Sequence, residues 1–95
     1  MTEVITLKDG TQEAKPLVAV TMMSLKRLLK DNTTAFFDLV MKCRDGNYEF
    51  FGNNGDTLRS LGFIDSNGGI HRSMKNIILN ATEGEGIDMK LVRPY

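Results

Sequence analysis

The sequence predicts an α+β fold, and three observations carry that prediction. Val4, Ile5, Thr6 and Leu7 are β-formers, and Asp9-Gly10, a strong hairpin signal, follows at once. Apolar residues recur at helical spacing in three stretches, around Met22–Lys30, Ala35–Arg44 and Ser73–Ala81. Near the end Ile87, Met89 and Leu91 alternate with period two, as in a half-buried strand. These segments do not follow a regular βαβ order, so α+β is favoured over a doubly wound sheet. The expected architecture is one domain over residues 1–95, with an N-terminal β-hairpin, three to four helices and a C-terminal strand.

The return limb of the hairpin is expected over Thr11 to Lys15, resuming at Leu17–Val20 beyond Pro16. A proline has no N–H for a ladder, so Pro16 is read as an edge, bulge or strand end. Met22, Leu25, Leu28 and Leu29 then form a helical stripe, with Thr21 as N-cap and Lys26, Arg27 and Lys30 off the stripe, near the end where the helix dipole favours cations. Asp31-Asn32 ends this helix, and Thr33 or Thr34 caps the next, which carries Phe36, Phe37, Val40, Met41 and Cys43 and stops at Gly46. Tyr48 to Phe51 reads as a short strand. Asn53-Asn54-Gly55 reads as a turn, and Asp56 as the cap of a short helix that buries Leu58 and Leu61. Asp65 to Gly69 is a second turn cluster, with Ile70-His71 as the return arm of a small hairpin. The last helix opens at Ser73, with Met74, Ile77, Ile78 and Ala81 on one face.

Composition narrows the function classes. Hydrophobic residues make up 41% and charged residues 25%, the globular norm, so a folded domain is expected. Twelve basic residues balance twelve acidic ones, which argues against a highly charged nucleic-acid coat but permits one basic face. Cys43 is the single cysteine, so no disulfide forms within the chain, and a reducing compartment is expected. Met1-Thr2-Glu3-Val4 shows no basic n-region before an apolar run, and no apolar run is long enough for a bilayer. The expectation is a soluble cytoplasmic protein with no membrane partner.

The usual catalytic constellations are missing from the sequence. A Ser or Cys nucleophile needs a base and a group that orients the base. His71 is the single histidine, with Ser73 two residues on and Asp65 across the turn, and no local signature of a known family surrounds it. One His and one Cys cannot complete a structural zinc set. Asp45-Gly46-Asn47-Tyr48-Glu49 begins like a calcium loop and fails at Phe50, where a glycine is required. Gly52 to Thr57 lacks the Gly-Lys-Ser/Thr of a phosphate loop. The chain is therefore expected to be non-enzymatic, with no cofactor, no metal and no catalytic residue.

Two binding surfaces remain. Phe36 and Phe37 are adjacent on a helix, and Phe50 and Phe51 are adjacent in an extended stretch, so one ring of each pair is a candidate for exposure. These four residues form the candidate protein-binding set, with another protein or a second copy in a homodimer as partner. The alternative set is Arg59, His71, Arg72 and Lys75, around the Asp65–Gly69 turn, with DNA as partner. A short helix followed by a turn with basic residues resembles, in outline, the helix-and-wing arrangement of winged-helix proteins. That resemblance implies a small DNA-binding regulator, although the helix is short for recognition. The stretch from Tyr48 through Leu61-Gly62-Phe63 to Ile70 also resembles phage antirepressor-type N-terminal domains over about a quarter of the chain. Its helix lacks their acidic-aliphatic-alanine pattern, and the Phe51-to-Leu61 spacing is one residue off, so the resemblance assigns no site. The first expectation is a binding or regulatory module of bacterial or phage style.

Overall fold

The computed structural model describes residues 3–82, which form a two-stranded antiparallel hairpin and four helices, an α+β arrangement. The predicted C-terminal strand lies outside the described residues. β1 (Val4–Thr6) pairs with β2 (Gln12–Ala14) in the register Val4 with Ala14, Ile5 with Glu13 and Thr6 with Gln12. The Leu7 N–H donates to the Thr11 carbonyl at 2.8 Å and closes the loop Lys8-Asp9-Gly10. Gly10 takes φ +90°, a value open to glycine at little cost, which is why Asp-Gly marks this turn. The Asp9 carboxylate locks the loop by accepting from the Thr11 N–H and hydroxyl. Leu7 is buried and plugs the hairpin into the core.

α1 (Lys15–Asp31) follows β2 directly. The expected strand at Leu17–Val20 is corrected to helix. Pro16 sits in the first turn, where its fixed φ suits the helix and its missing N–H has no intrahelical partner to lose. The buried face of α1 is Val18, Thr21, Met22, Leu25 and Leu28, so Thr21 lies inside the helix and is not its cap. Asn32 ends α1 by donating its N–H to the Leu28 carbonyl, and begins α2 (Thr33–Arg44) by accepting the Ala35 N–H on its side chain. The cap is thus Asn32, where Thr33 or Thr34 was expected; Thr34 instead donates its hydroxyl to the Asn32 side chain. α2 buries Ala35, Phe36, Asp38, Leu39, Val40 and Cys43.

Tyr48 to Phe51 is irregular, where a strand was expected: the segment spends its polar groups on turns and on Asp38, and no second strand lies beside it among the described residues. α3 (Asn54–Ser60) buries Leu58, whereas Leu61, expected inside, is exposed. The helix ends with paired return bonds, Phe63 N–H to the Leu58 carbonyl and Gly62 N–H to the Arg59 carbonyl, with Gly62 at φ +85°. Buried Phe63 and Leu58 are the apolar pair that commonly accompanies this stop, so Leu61 is left outside.

The Asp65–Gly69 turn closes through the Asp65 N–H to the Gly69 carbonyl and through Asp65 Oδ1, which accepts from Asn67 and Gly69. No strands flank it among the described residues, so Ile70-His71 is not a return arm and no wing forms there. α4 (Arg72–Ala81) is capped by His71, whose Nδ1 accepts the Ser73 N–H at 3.2 Å. α4 packs on α1 and α2, α3 packs on α2, and the hairpin packs on α1. The core runs through Leu25, Leu39, Leu58, Ile77 and Ile78. Asn80, itself buried, accepts the Asp9 N–H and so ties α4 to the hairpin loop.

Candidate protein-docking surface

The four phenylalanines divide as two buried or half-buried rings and two exposed ones. Phe36 is 4% exposed and Phe37 58%; Phe50 is half-buried and Phe51 is 70% exposed. On α2, Phe36 points with Leu39, Val40 and Cys43 into the core, and Phe37 shares the opposite face with Met41, four residues on, which is also exposed. The Phe36 and Phe37 rings meet edge to face at 5.8 Å, so the outer ring rests on the inner one. Phe50 packs against α3, where the nearest ring atom would lie 3.2 Å from a Cβ at Gly55, and Lys42 Nζ stands 5.9 Å from its centroid.

Asp38 holds Phe51 in place. This carboxylate is 3% exposed and faces three donors: the Tyr48 hydroxyl at 2.7 Å, the Phe51 N–H at 2.9 Å and the Asn54 side-chain amide at 2.8 Å. Burial pushes its pKa up and is the largest single influence. The hydrogen bonds from Asn54, Phe51 and Tyr48 together outweigh it and hold the group below the ordinary aspartate value. The reciprocal effect raises the Tyr48 hydroxyl, chiefly because Asp38 accepts its proton in the hydrogen bond. One side chain of α2 thus fixes both ends of the segment from Tyr48 to Asn54. The Tyr48 ring stands edge-on to both Phe50, at 6.4 Å, and Phe51, at 6.2 Å. The result is an exposed aromatic ring on an irregular segment with a rigid base.

Asp38 did not stand out in the sequence. The signal that could have found it is that it is the one charged residue in the apolar run from Ala35 to Met41. Its partners lie 10 to 16 residues away in the chain, in a segment with no periodicity to place it.

The basic set does not form one patch. Arg59 is spent locally: its Nη1 pairs with Asp56 at 2.9 Å and its Nε donates to the Asp65 carbonyl. His71 uses Nδ1 as a helix cap, and Ser73 offers it a backbone N–H, not its hydroxyl. His71 lines a shallow cleft of about 400 Å3 that also includes Asp65 and Met74, with no hydrogen bond between His71 and Asp65. Arg72 and Lys75 come together on the first turn of α4, exposed, beside Thr11, Glu13 and Asn76, at an open cleft of about 600 Å3. Neither joins an ion pair among the described residues. Asn76 bridges that cleft by donating to both the Thr11 hydroxyl and the Glu13 carboxylate.

Among the described residues no group of three His, Cys, Asp or Glu side chains converges as a metal set, and no helix is long and apolar enough to cross a membrane. No protein-family model, curated protein or solved structure matches the chain.

Proposed function

We propose that the chain is a non-enzymatic binding module that docks on another protein through Phe37, Met41 and Phe51. The observation that supports it most is the unequal burial within each phenylalanine pair, with the outer ring at Phe51 held out by a buried carboxylate. The same anchor ties α2 to the start of α3, so the exposed ring sits on a fixed base. A phenylalanine covers about 150–250 Å2, so the exposed parts of Phe37 and Phe51 amount to roughly 250 Å2. At about 25 cal/mol per Å2 their burial contributes at most about 6 kcal/mol. Association costs on the order of 4–15 kcal/mol, so a lasting complex must also cover neighbours such as Met41 and Tyr48. A reducing compartment such as the cytoplasm suits the free thiol of Cys43.

The test is affinity capture from an extract of the source cell, comparing the wild type with a Phe37→Ser, Phe51→Ser double variant. The expected result is a partner retained by the wild type and lost by the folded variant. A partner retained equally by both sinks the proposal. DNA binding is the second reading, supported by the exposure of Arg72 and Lys75 without ion-pair partners among the described residues. It predicts duplex binding that weakens steeply with salt and falls on Arg72→Ala with Lys75→Ala. Absence of binding at low salt removes it.

A further inference from the structure

Asparagine is a thermolabile residue, and most so before glycine, whose backbone nitrogen has no side chain beside it. That nitrogen attacks the asparagine Cγ. A five-membered imide ring forms as the Cγ–Nδ2 bond breaks, and the glycine amide proton leaves with the departing nitrogen as ammonia. Water then opens the ring at either carbonyl, giving aspartate or isoaspartate. The sequence holds two such pairs, Asn54-Gly55 and Asn67-Gly68. We propose that Asn67 is a site of spontaneous deamidation in the folded chain, and that the Asp38 anchor protects Asn54 from the same reaction.

The two pairs have opposite surroundings. Asn54 opens α3, and the imide ring fixes ψ of the asparagine away from the helical value, so closure there unwinds the start of the helix. Its side-chain amide donates to Asp38 Oδ2 at 2.8 Å, a charge-assisted bond that pins the Cγ which the Gly55 nitrogen must reach. Gly55 is packed as well: a Cβ there would stand 3.2 Å from the Phe50 ring. Asn67 lies exposed in the Asp65–Gly69 turn, outside any helix or strand. Its backbone N–H is held by Asp65 Oδ1, and its side chain makes no hydrogen bond among the described residues. Gly68, at φ +82°, has open space where a Cβ would be. One bond opposes attack: the Gly68 N–H donates to the Asp65 carbonyl at 3.0 Å. That bond is neutral and belongs to a surface turn, so it is weaker than the bond to the buried carboxylate.

The products differ in consequence. Conversion at Asn67 adds one carboxylate to a chain of zero net charge, in the turn that Arg59 joins through the Asp65 carbonyl. Isoaspartate also lengthens the main chain by a methylene at the residue whose N–H Asp65 holds, which loosens the turn. Conversion at Asn54 would replace a donor by a carboxylate against Asp38, itself 3% exposed, and two like charges at that distance disfavour each other. Asp38 thus shields the residue whose conversion would undo its own anchor.

The experiment incubates the purified whole chain at mildly alkaline pH, digests it with trypsin and follows the peptides by mass spectrometry. The pairs fall on separate peptides, Asn54 on Asp45–Arg59 and Asn67 on Ser60–Arg72. A sample digested first and incubated afterwards gives the unprotected rate of each pair. In the native chain Ser60–Arg72 is expected to gain the mass of amide-to-acid conversion within about threefold of its free-peptide rate, and to split into aspartate and isoaspartate forms. Asn54, located by fragmentation, is expected to convert at least about tenfold more slowly than in its free peptide. Asp38→Asn removes the charge at nearly constant size and is expected to speed Asn54 several-fold while leaving Asn67 unchanged. Tyr48→Phe, which removes one of the bonds that place the Asp38 carboxylate, is the second variant should Asp38→Asn fold poorly, with the same direction expected. Asn67 slowed as much as Asn54 by folding overturns the proposal, as does Asn54 converting at its free-peptide rate. An unchanged Asn54 rate in whichever variant folds overturns the part given to Asp38.

Discussion

Replacing Asp38 by alanine removes the acceptor for three donors at once: the Tyr48 hydroxyl, the Phe51 N–H and the Asn54 amide. A hydrogen bond to a charged group contributes about 1.5–3 kcal/mol net, and a buried donor left without a partner costs about 1–3 kcal/mol. Two considerations reduce the sum. The carboxylate itself is buried without a cation paired to it among the described residues, so its desolvation already offsets part of the gain. Tyr48 and Phe51 also lie at the surface, where water can reach the freed donors. The expected net loss is about 2–4 kcal/mol, a large share of the roughly 5–15 kcal/mol that stabilises a domain of this size. For a chain this short that corresponds to a fall of about 10–25 °C in the melting temperature.

Urea unfolding followed by far-UV circular dichroism measures this loss. Asp45→Ala serves as the control, because Asp45 only closes a local turn onto Asn47. The pH dependence has a definite sign. The folded pKa of Asp38 lies below its unfolded value, so its contribution is fully present above about pH 4 and is lost as pH falls through the folded value. The difference in stability between wild type and Asp38→Ala should therefore narrow with acidification below that point. A difference under about 0.5 kcal/mol at neutral pH would refute the anchoring role of Asp38.

Three other outcomes are expected. In a Tyr95→Phe background, tyrosinate absorbance should show Tyr48 titrating above the ordinary 10, and Asp38→Asn should bring it down. Burial pushes the Cys43 thiol up to about 12, while the charge of Lys75 pulls slightly the other way, so native Cys43 should resist alkylating reagents that modify it at once in denaturant. Gly62→Ala places a Cβ at φ +85° in open space, so the cost is backbone strain alone, about 1–2 kcal/mol by denaturant unfolding. A loss under 0.3 kcal/mol there would mean that the α3 stop relaxes without its glycine.

The legible part of the fold was local. Asp9-Gly10 announced the hairpin, and the apolar stripe of Phe36, Phe37, Val40, Met41 and Cys43, or of Met74, Ile77, Ile78 and Ala81, announced helices that the structure contains, although Phe37 and Met41 lie exposed and Leu39 is the buried residue that stripe left out. Pro16 misled because the same residue ends a strand and opens a helix, and only the continuous stripe from Val18 to Leu28 separates the two. Tyr48 to Phe51 has strand composition and no strand partner among the described residues, and Asp38 accepts the Phe51 N–H instead. The doubled phenylalanines were visible as a geometric problem, since neighbours on one helix cannot share one narrow stripe. Which ring faces out was not visible, because that depends on how α2 sits on α1 and α4. The basic residues around the second turn looked alike in sequence. Arg59 and His71 differ from Arg72 and Lys75 only through contacts with Asp56, Asp65 and Ser73 that the fold brings together.

Site-specific photo-crosslinking tests the docking claim most directly. A photoreactive phenylalanine analogue placed at position 51 in the source cell should yield a covalent adduct with protein, and the same analogue at position 72 should not. Adducts with nucleic acid from position 72, with none to protein from position 51, would contradict a docking role for the Phe37–Phe51 surface.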